Sequence, residues 1–374
     1  MKIGFVLDDT LDSTDGVQQY VLGLGRQLGK HGHEVHYLVG QSERTDIPHI
    51  HSLGRNVKVS FNKNRLSMPV LAPPRRIKRL LTREKFDILH IQMPYSPSLG
   101  GRVLSRAKKL GIPTVGTFHI LPASSLEKRG LKLLAAAQKP TLRSMSRVIA
   151  VSEPARQCFE DIFNIKAKVI PNPVDVSRYK PLKNTPKQKR IVFVGRLVER
   201  KGCHKLLEAL AWMHDRDFLR DTKVTICGDG PLKKQLWRFV NSHHLEDIVT
   251  FAGRVKEDEK IRHLQTATIA VFPSTGGESF GIVLIEAMAA GSEVVIAGDN
   301  PGYRFVMDGR EQHLIDPSDK KTFSALLIHY LTTPKDRQKS RQWQQKRVRD
   351  FTLPKVTRSI ERIYQEVIAK HDKD

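Results

Sequence analysis

The chain has 374 residues and is 39% hydrophobic, which is enough to build two domains with cores of ordinary size. Its 63 Lys and Arg residues outnumber 39 Asp and Glu residues, and the net charge of +24 indicates a polyanionic partner: nucleic acid, an anionic membrane surface or phosphorylated substrates. Three widely spaced cysteines, Cys158, Cys203 and Cys227, favour a reducing compartment and argue against a disulfide framework or a structural metal site.

Membrane spans and export signals are not expected from the sequence. No apolar run approaches the roughly 18–20 residues that cross a bilayer. The apolar segment Ile3–Leu7 is ended by Asp8 and Asp9 before it reaches the length of a signal-peptide core. We therefore expect a cytoplasmic protein that associates peripherally with a membrane.

Strands and helices alternate through the first half of the chain. Ile3–Leu7 is typical of a buried strand, an apolar pattern of helical spacing begins at Gly16, and Val35–Val39 is the next strand. Further strands follow at Asp87–Gln92 and in a segment that ends at His119. This order predicts a doubly wound parallel sheet, in which strand ends such as His119 either contact ligands or serve the structure. Gly16 suits a close phosphate contact or a helix start that needs a small residue.

Positive charge is concentrated in the first half, where residues 1–180 contain 29 basic and 14 acidic residues. The segment Arg75–Lys85 contains six of these cations, and its Ile77, Leu80 and Leu81 share one helical face. It predicts an amphipathic helix that is solvated, contacts nucleic acid, or rests on anionic lipid, where each cation contributes about 1 kcal/mol. Leu126–Met145 is a second basic amphipathic segment.

A second α/β series begins at the strand Arg190–Val194, after a linker-like segment with two prolines at Lys180–Lys189. Arg196 and Lys201 lie just past this strand, where two cations suit a pyrophosphate or are simply surface charge. We predict a first domain over residues 1–180, a second over 181–352, and a final helical segment, 353–374, whose apolar stripe needs a surface to pack on.

The most informative stretch is Gly276–Gly291, which follows a buried strand. Its two leading glycines allow a close backbone approach to a ligand, and a helix begins near Phe280. Glu278 is therefore expected in the loop and Glu286 two turns along the helix, whose free N–H groups favour an anion. An ordinary strand–loop–helix crossover has the same spacing, but carboxylates in this position also suit pairs of sugar hydroxyls.

This stretch closely resembles the donor-sugar loop of glycosyltransferase family 4. Weaker motifs of that family occur in the expected order, at Gly16–Gln18, Asp87–His90, Thr117–His119, Ile149–Ser152, Pro171–Asn172, Val174–Asp175, Gly195–Arg196 and Lys201–Gly202. The resemblance implies the α/β GT-B fold: two Rossmann-like doubly wound domains with the donor cleft between them, and a C-terminal helix crossing back to the first domain.

The resemblance also implies roles for four residues near the reacting groups. Glu278 would orient the donor sugar, and His119 would lie beneath it. Arg196 and Lys201 would neutralise the diphosphate and stabilise the leaving nucleotide. Family members retain the anomeric configuration by front-face attack, in which the leaving phosphate takes the acceptor's proton.

Further donor contacts are implied for the backbone of Gly16 with the diphosphate, for Arg254 and Val255 with the base, and for Glu286 with the ribose. Backbone N–H groups that would bind sugar and phosphate belong to Ser279, Phe280, Gly281, Ile282 and Val283. Membrane or acceptor contacts are implied for Arg65, Arg75, Arg76, Lys78 and Arg79.

Neither a cofactor nor a metal is expected. His31, His33 and His36 lie at a helix–strand junction, and no acidic or Cys partner was expected for them at ligand spacing. Two positions depart from the family pattern: Asp15 replaces a glycine beside Gly16, and Asp9 replaces an aromatic residue of the acceptor loop.

The implied function is transfer of a hexose, mannose from GDP-mannose, to a phosphatidylinositol- or diacylglycerol-type lipid, by a monomer at the inner face of the plasma membrane. A UDP-sugar donor with a glycan or soluble acceptor is the alternative within the family. A basic protein that binds nucleic acid is the alternative outside it, but Arg75–Lys85 has no interleaved aromatic residues for base stacking. No nucleic-acid partner is therefore expected.

Overall fold

The computed structural model describes residues 1–12, 16–61, 64–70, 72–93, 95–122, 124–182 and 187–373, with the backbone alone for residues 57–61, 64–70 and 137. The chain forms two compact units, Met1–Pro173 with Leu353–Asp374 and Val174–Thr352. Within the second unit, the N–H of Val174 donates to the carbonyl of Phe351 at 2.7 Å, so its first and last residues lie side by side.

The division at Pro173 precedes the predicted boundary at residue 180. The segment after Pro173 belongs to the second unit because it is anchored there: Tyr179 is buried, and its hydroxyl lies 3.3 Å from Oε1 of Glu257.

The first unit is built on a parallel sheet of seven strands in the order β3-β2-β1-β6-β7-β8-β9. A separate antiparallel hairpin is formed by β4 and β5. The strands are β1 (Lys2–Leu7), β2 (Glu34–Val39), β3 (Ile50–Ser52), β4 (Arg55–Phe61), β5 (Asn64–Val70), β6 (Ile88–Gln92), β7 (Thr114–Phe118), β8 (Arg147–Ala150) and β9 (Lys168–Val169). The helices are α1 (Gly16–Lys30), α2 (Pro74–Glu84), α3 (Leu99–Lys109), α4 (Ser125–Leu142) and α5 (Glu153–Phe163).

The second unit repeats this design on six parallel strands in the order β12-β11-β10-β13-β14-β15. The strands are β10 (Lys189–Val194), β11 (Thr222–Cys227), β12 (Val249–Gly253), β13 (Ile269–Phe272), β14 (Val294–Gly298) and β15 (Leu314–Ile315). The helices are α6 (Cys203–His214), α7 (Lys233–Ser242), α8 (Glu257–Gln265), α9 (Ile282–Ala290), α10 (Pro301–Met307), α11 (Lys320–Thr332) and α12 (Pro334–Arg347).

The last helix, α13 (Leu353–His371), packs on α1 in the core of the first unit. Its apolar stripe is buried throughout, and Ile360 and Tyr364 are inaccessible to solvent. Both sheets change strand order beside their first strand, β1 or β10, and in such sheets ligands bind at the carboxyl ends near that point. Three predicted site positions, His119, Arg196 and Glu278, follow the carboxyl ends of β7, β10 and β13.

Candidate active site

Glu278 lies in the loop after β13, and its side chain is 11% exposed. Its Oε1 atom lies 2.7 Å from Nη1 of Arg200 and 2.7 Å from Nζ of Lys201. The Ser274 hydroxyl is 2.8 Å from the same oxygen. Burial alone would raise the pKa of Glu278, but the Lys201 and Arg200 cations hold that pKa below its ordinary value. The carboxylate is therefore ionised and held in one orientation.

Close backbone packing fixes the position of Lys201 and Arg200. Gly202, the next residue, has φ +69°, and a Cβ there would lie 1.9 Å from the carbonyl oxygen of Pro273. The N–H of Thr275 also donates to the carbonyl of Arg200 at 2.9 Å. Only glycine fits at position 202, which explains the pairing of Lys201 with Gly202 in the sequence.

A second close approach shapes the loop that carries Glu278. A Cβ at Gly302, in α10, would lie 2.1 Å from the carbonyl oxygen of Glu278. Gly281 has φ +124° and faces the buried ring of Tyr303. The loop then leads into the N-terminus of α9 at Ile282, where Ser279, Ile282 and Val283 are half-buried. This N-terminus suits a negatively charged group.

Phe280 has a structural role as well as a place in this loop. Its side chain is 2% exposed and packs against Phe305 and Phe351, with ring centroids 6.0 and 5.5 Å away. The Phe280 side chain is therefore part of the core, and the predicted contact of its backbone N–H with the donor stays a prediction.

Glu286, in the middle of α9, is 5% exposed. Its Oε1 accepts a hydrogen bond from Nζ of Lys260 in α8 at 2.8 Å, and Lys260 also pairs with Glu257 at 3.0 Å. Burial lowers the pKa of Lys260, but the two carboxylates raise it above its ordinary value, so the ammonium stays charged. The predicted ribose carboxylate thus belongs to a buried ionic cluster.

The remaining predicted donor residues of this unit lie at strand ends. Arg196, after β10, and Arg254, after β12, are exposed, and Val255 is half-buried. A Cβ at Gly228 would lie 1.8 Å from the carbonyl oxygen of Gly195, so the turns after β10 and β11 are in contact. This packing holds the turn that carries Arg196 against the turn after β11.

His119, in the first unit, is held from two sides. Its Nε2 lies 2.7 Å from Oε1 of Gln92, and its ring meets that of Tyr20 edge-on at 4.9 Å. Burial lowers the pKa of His119 to about 3, so the imidazole is neutral at physiological pH. It can offer a polar contact to a substrate, but it carries no charge.

A buried chain of hydrogen-bonding groups lies behind His119. His90 has no exposed surface; its Nδ1 lies 2.6 Å from the hydroxyl of Tyr364 in α13, and its Nε2 lies 2.6 Å from Oγ1 of Thr117. These hydrogen bonds link α13 to β6 and β7. They could not be predicted from the sequence, because α13 reaches this unit from the far end of the chain.

Asp8 and Asp9 follow β1. Oδ1 of Asp8 accepts the N–H of Gly100 at 2.5 Å, at the start of α3, and burial raises the pKa of Asp8 to about 6. Asp9 accepts a hydrogen bond from Nε2 of Gln18 at 3.1 Å. Gly16 is the first residue of α1. Asp15 and the side chain of Arg65 lie outside the described residues.

The expectation that three histidines lack an acidic partner is wrong. His31 and His33 both contact Oε1 of Glu361, at 2.8 and 3.0 Å, and His36 contacts Oε1 of Glu34 at 2.7 Å. Glu361 is distant in sequence and lies on α13, so its contact with His31 and His33 could not be predicted from local spacing. Glu34 and His36 are two residues apart on one strand, so their shared face was recognisable from the sequence.

The cations predicted to form the acceptor surface lie together on α2. Arg75, Arg76, Lys78 and Arg79 are exposed, and the opposite face of the helix, with Ile77, is buried. Among the described residues, no helix is both long enough and apolar enough to cross a membrane.

Structural and sequence comparisons identify the fold and the family. The fold is that of the GT-B glycosyltransferases. Sucrose-phosphate synthase from Thermosynechococcus elongatus superposes with a TM-score of 0.77 at 20% identity, covering 99% of each chain. Anabaena HepE in complex with UDP and glucose superposes with a TM-score of 0.72 at 18% identity, covering 98% of this chain and 99% of HepE.

The sequence places the chain in a family within that fold. Residues 14–178 match the model for "Glycosyltransferase Family 4", and residues 178–347 match that for "Glycosyl transferases group 1". A phosphatidyl-myo-inositol mannosyltransferase of Mycolicibacterium smegmatis is 32% identical over 98% of this chain and 94% of its own length. The chain belongs to glycosyltransferase family 4.

Proposed function

We propose that the chain is a retaining mannosyltransferase that moves mannose from GDP-mannose to a phosphatidylinositol-type lipid at the cytosolic face of a membrane. The mannosyltransferase relative from M. smegmatis supports the choice of sugar and acceptor, because its similarity extends over nearly the whole chain. The observation that carries the proposal is the Glu278 carboxylate, fixed by Arg200 and Lys201. A rigid, ionised acceptor of this kind suits the vicinal hydroxyls of a hexose.

In the proposed reaction, the acceptor hydroxyl oxygen bonds to the anomeric carbon on the face from which GDP departs. The bond between that carbon and the β-phosphate oxygen breaks, and the phosphate takes the acceptor's proton. Arg196 and Lys201 stabilise the charge that develops on the phosphate. The backbone of Gly16 and the N-terminus of α9 add hydrogen-bond donors to the diphosphate.

The remaining residues would orient the two substrates. Glu286 accepts hydrogen bonds from the ribose hydroxyls, and Lys260, 2.8 Å away, opposes the rise in its pKa that burial causes. Arg254 and Val255 contact the base, and neutral His119 contacts the sugar. Neither a metal nor an enzymic nucleophile is required.

Two basic helix faces support the proposed membrane contact. The exposed cations of α2 are one of them. On α4, Leu126 and Leu133 are 77% and 75% exposed, seven residues apart, and therefore on one side of the helix. Exposed Arg129 lies beside them on the helix, and exposed Lys132 lies further round the same flank. Cations beside protruding leucines suit an anionic lipid surface.

Calorimetric titration with GDP, UDP, GDP-mannose and UDP-glucose tests the donor assignment. We expect binding of GDP and GDP-mannose, with UDP and UDP-glucose at least tenfold weaker. The reverse preference would replace this proposal with the UDP-sugar alternative. If none of the four ligands bound, the donor site itself would be wrongly assigned.

A further inference from the structure

A cluster of imidazole and carboxylate groups lies at the amino-terminal edge of the first sheet, at the opposite ends of the strands from His119. His36 is in β2, His51 is in β3, and Glu84 ends α2. The His36 side chain is 2% exposed and the Glu84 side chain 15% exposed. Neither the family resemblance nor the proposed reaction uses these residues.

Three ligand atoms of this cluster converge. Nδ1 of His36 lies 2.8 Å from Nε2 of His51 and 4.0 Å from Oε2 of Glu84, and all three atoms are within 4.8 Å of one another. Tetrahedral Zn²⁺ places such ligands about 2.0–2.1 Å from the ion and therefore roughly 3.4 Å apart. Two of the separations lie on either side of that value and the third is no more than 4.8 Å, so turning the side chains by shifts of about 1 Å would complete the site.

Glu34 already orients His36 for this role. Oε1 of Glu34 lies 2.7 Å from Nε2 of His36, so this nitrogen carries the proton and donates it to the carboxylate. The lone pair of Nδ1 then points toward His51 and Glu84. A carboxylate that fixes the tautomer of a ligating histidine in this way is a common feature of zinc sites.

Lys2 would compete with a metal ion for Glu84. Its Nζ atom lies 3.0 Å from Oε2 of Glu84 and 3.1 Å from Oε1 of Glu34. A divalent ion at the three ligand atoms would release Lys2 from Glu84 by charge repulsion. The rings of His49 and His51 both stack on that of His36, with centroids 4.4 and 5.1 Å away.

We propose that His36, His51 and Glu84 bind a borderline transition-metal ion such as Zn²⁺. The proton on Nε2 of His51 would move to Nδ1, Lys2 would turn to solvent, and water would fill the fourth position. Two imidazoles and one carboxylate suit Zn²⁺ or Co²⁺ and not Mg²⁺ or Ca²⁺, which prefer oxygen ligands. The bound ion would tie the end of the basic helix α2 to the sheet.

The test is calorimetric titration of the tag-free, chelator-treated full chain with Zn²⁺, together with Co²⁺ binding followed by visible absorption. We expect one ion per chain, with tetrahedral cobalt absorption and no displacement by excess Mg²⁺. His51→Ala should lower the affinity at least tenfold, and Glu34→Ala should lower it roughly 10–100-fold.

Two further variants make the test specific to this cluster. Lys2→Met removes the competing ammonium and should strengthen binding, while His31→Ala, a paired histidine elsewhere in the same unit, should leave it unchanged. Absence of stoichiometric Zn²⁺ binding would overturn the proposal. So would wild-type affinity in His51→Ala, or a Lys2→Met variant that binds no more tightly than wild type.

Discussion

Nζ of Lys201 and Oε1 of Glu278 form an ion pair of 2.7 Å at the carboxyl ends of the strands in the second unit. The sequence assigned these residues to two parts of one donor, the cation to the diphosphate and the carboxylate to the sugar. Because the two side chains are in contact, Lys201 is expected to interact with the diphosphate directly and to orient the carboxylate that binds the sugar. A charge-assisted bond of this kind fixes geometry before the substrate arrives.

Replacing either partner should therefore lower the rate of sugar transfer strongly while leaving the protein folded. We expect Glu278→Gln and Lys201→Ala each to lower the rate of sugar transfer by at least about 100-fold, the cost of losing one oriented charge in an active site. Arg200→Ala should have a smaller effect, roughly 10-fold or more, because Lys201 still holds the carboxylate.

Turnover under saturating donor, with circular dichroism as the check on folding, measures these effects. Lys205→Ala is the matched control, because Lys205 also pairs with a glutamate, Glu208, at 3.0 Å in the same unit. Rates near wild type for both Glu278→Gln and Lys201→Ala would show that the site has been placed on the wrong residues.

The sequence predicted the two sheets and the positions of Glu278 and Glu286, because strand and helix periodicity and glycine spacing are local signals. It did not predict Arg200, Ser274 or Lys260, whose roles depend on contacts between separate elements. Lys260 reaches Glu286 only because α8 packs beside α9. The partners of His31 and His90 were missed for the same reason, since α13 supplies them from the end of the chain.

The buried pair of Lys260 and Glu286 gives a prediction about stability. Lys260→Met leaves the Glu286 carboxylate buried without its cation, and breaking such a pair costs about 3–5 kcal/mol. We expect a clear fall in the melting temperature of the second unit in differential scanning calorimetry.

The double variant with Glu286→Gln should recover much of that loss, because it removes the unpaired charge. Lys339→Met, at an exposed pair with Asp336, is the control and should change little. An unchanged melting temperature in Lys260→Met would contradict the assignment of a buried charge pair.

Asp8 predicts a pH dependence of unfolding. Burial raises the pKa of its carboxyl from 3.8 to about 6 in the folded chain, so folding favours the protonated form. The contribution of protonated Asp8 to folding stability is complete below the pKa of the carboxyl in the unfolded chain, and it is lost as the pH rises through about 6. The shift of about two units corresponds to roughly 3 kcal/mol.

Asp8→Asn should remove this dependence while keeping an oxygen for the N–H of Gly100. We expect the variant to melt above wild type at pH 7.5 and to lose that advantage as the pH is lowered toward 4. Asp46→Asn, at an exposed carboxylate, serves as the control for general titration. A constant difference between Asp8→Asn and wild type across this range would show that Asp8 keeps an ordinary pKa.

The basic face of α2 gives a prediction about membranes. Replacing Arg75, Arg76, Lys78 and Arg79 by Ser should weaken binding to vesicles containing phosphatidylinositol and phosphatidylglycerol by more than 100-fold, since each cation contributes about 1 kcal/mol. Binding of GDP should not change. Vesicle co-sedimentation at low and high salt measures the effect.

A set of four exposed cations in the second unit, Lys320, Lys321, Lys335 and Lys339, provides the matched control when replaced by Ser. Equal losses in both sets would indicate attraction by net charge alone. If the α2 variant bound vesicles as tightly as wild type, α2 would not be part of the membrane-binding surface.

The most direct measurement is transfer of labelled mannose from GDP-mannose to phosphatidylinositol in anionic vesicles, with the Glu278→Gln variant and UDP-glucose run in parallel. We predict a mannosylated phosphatidylinositol with the α-configuration of the donor, formed by the wild type and not by Glu278→Gln. No labelled lipid from GDP-mannose, with transfer from UDP-glucose instead, would contradict the proposed function.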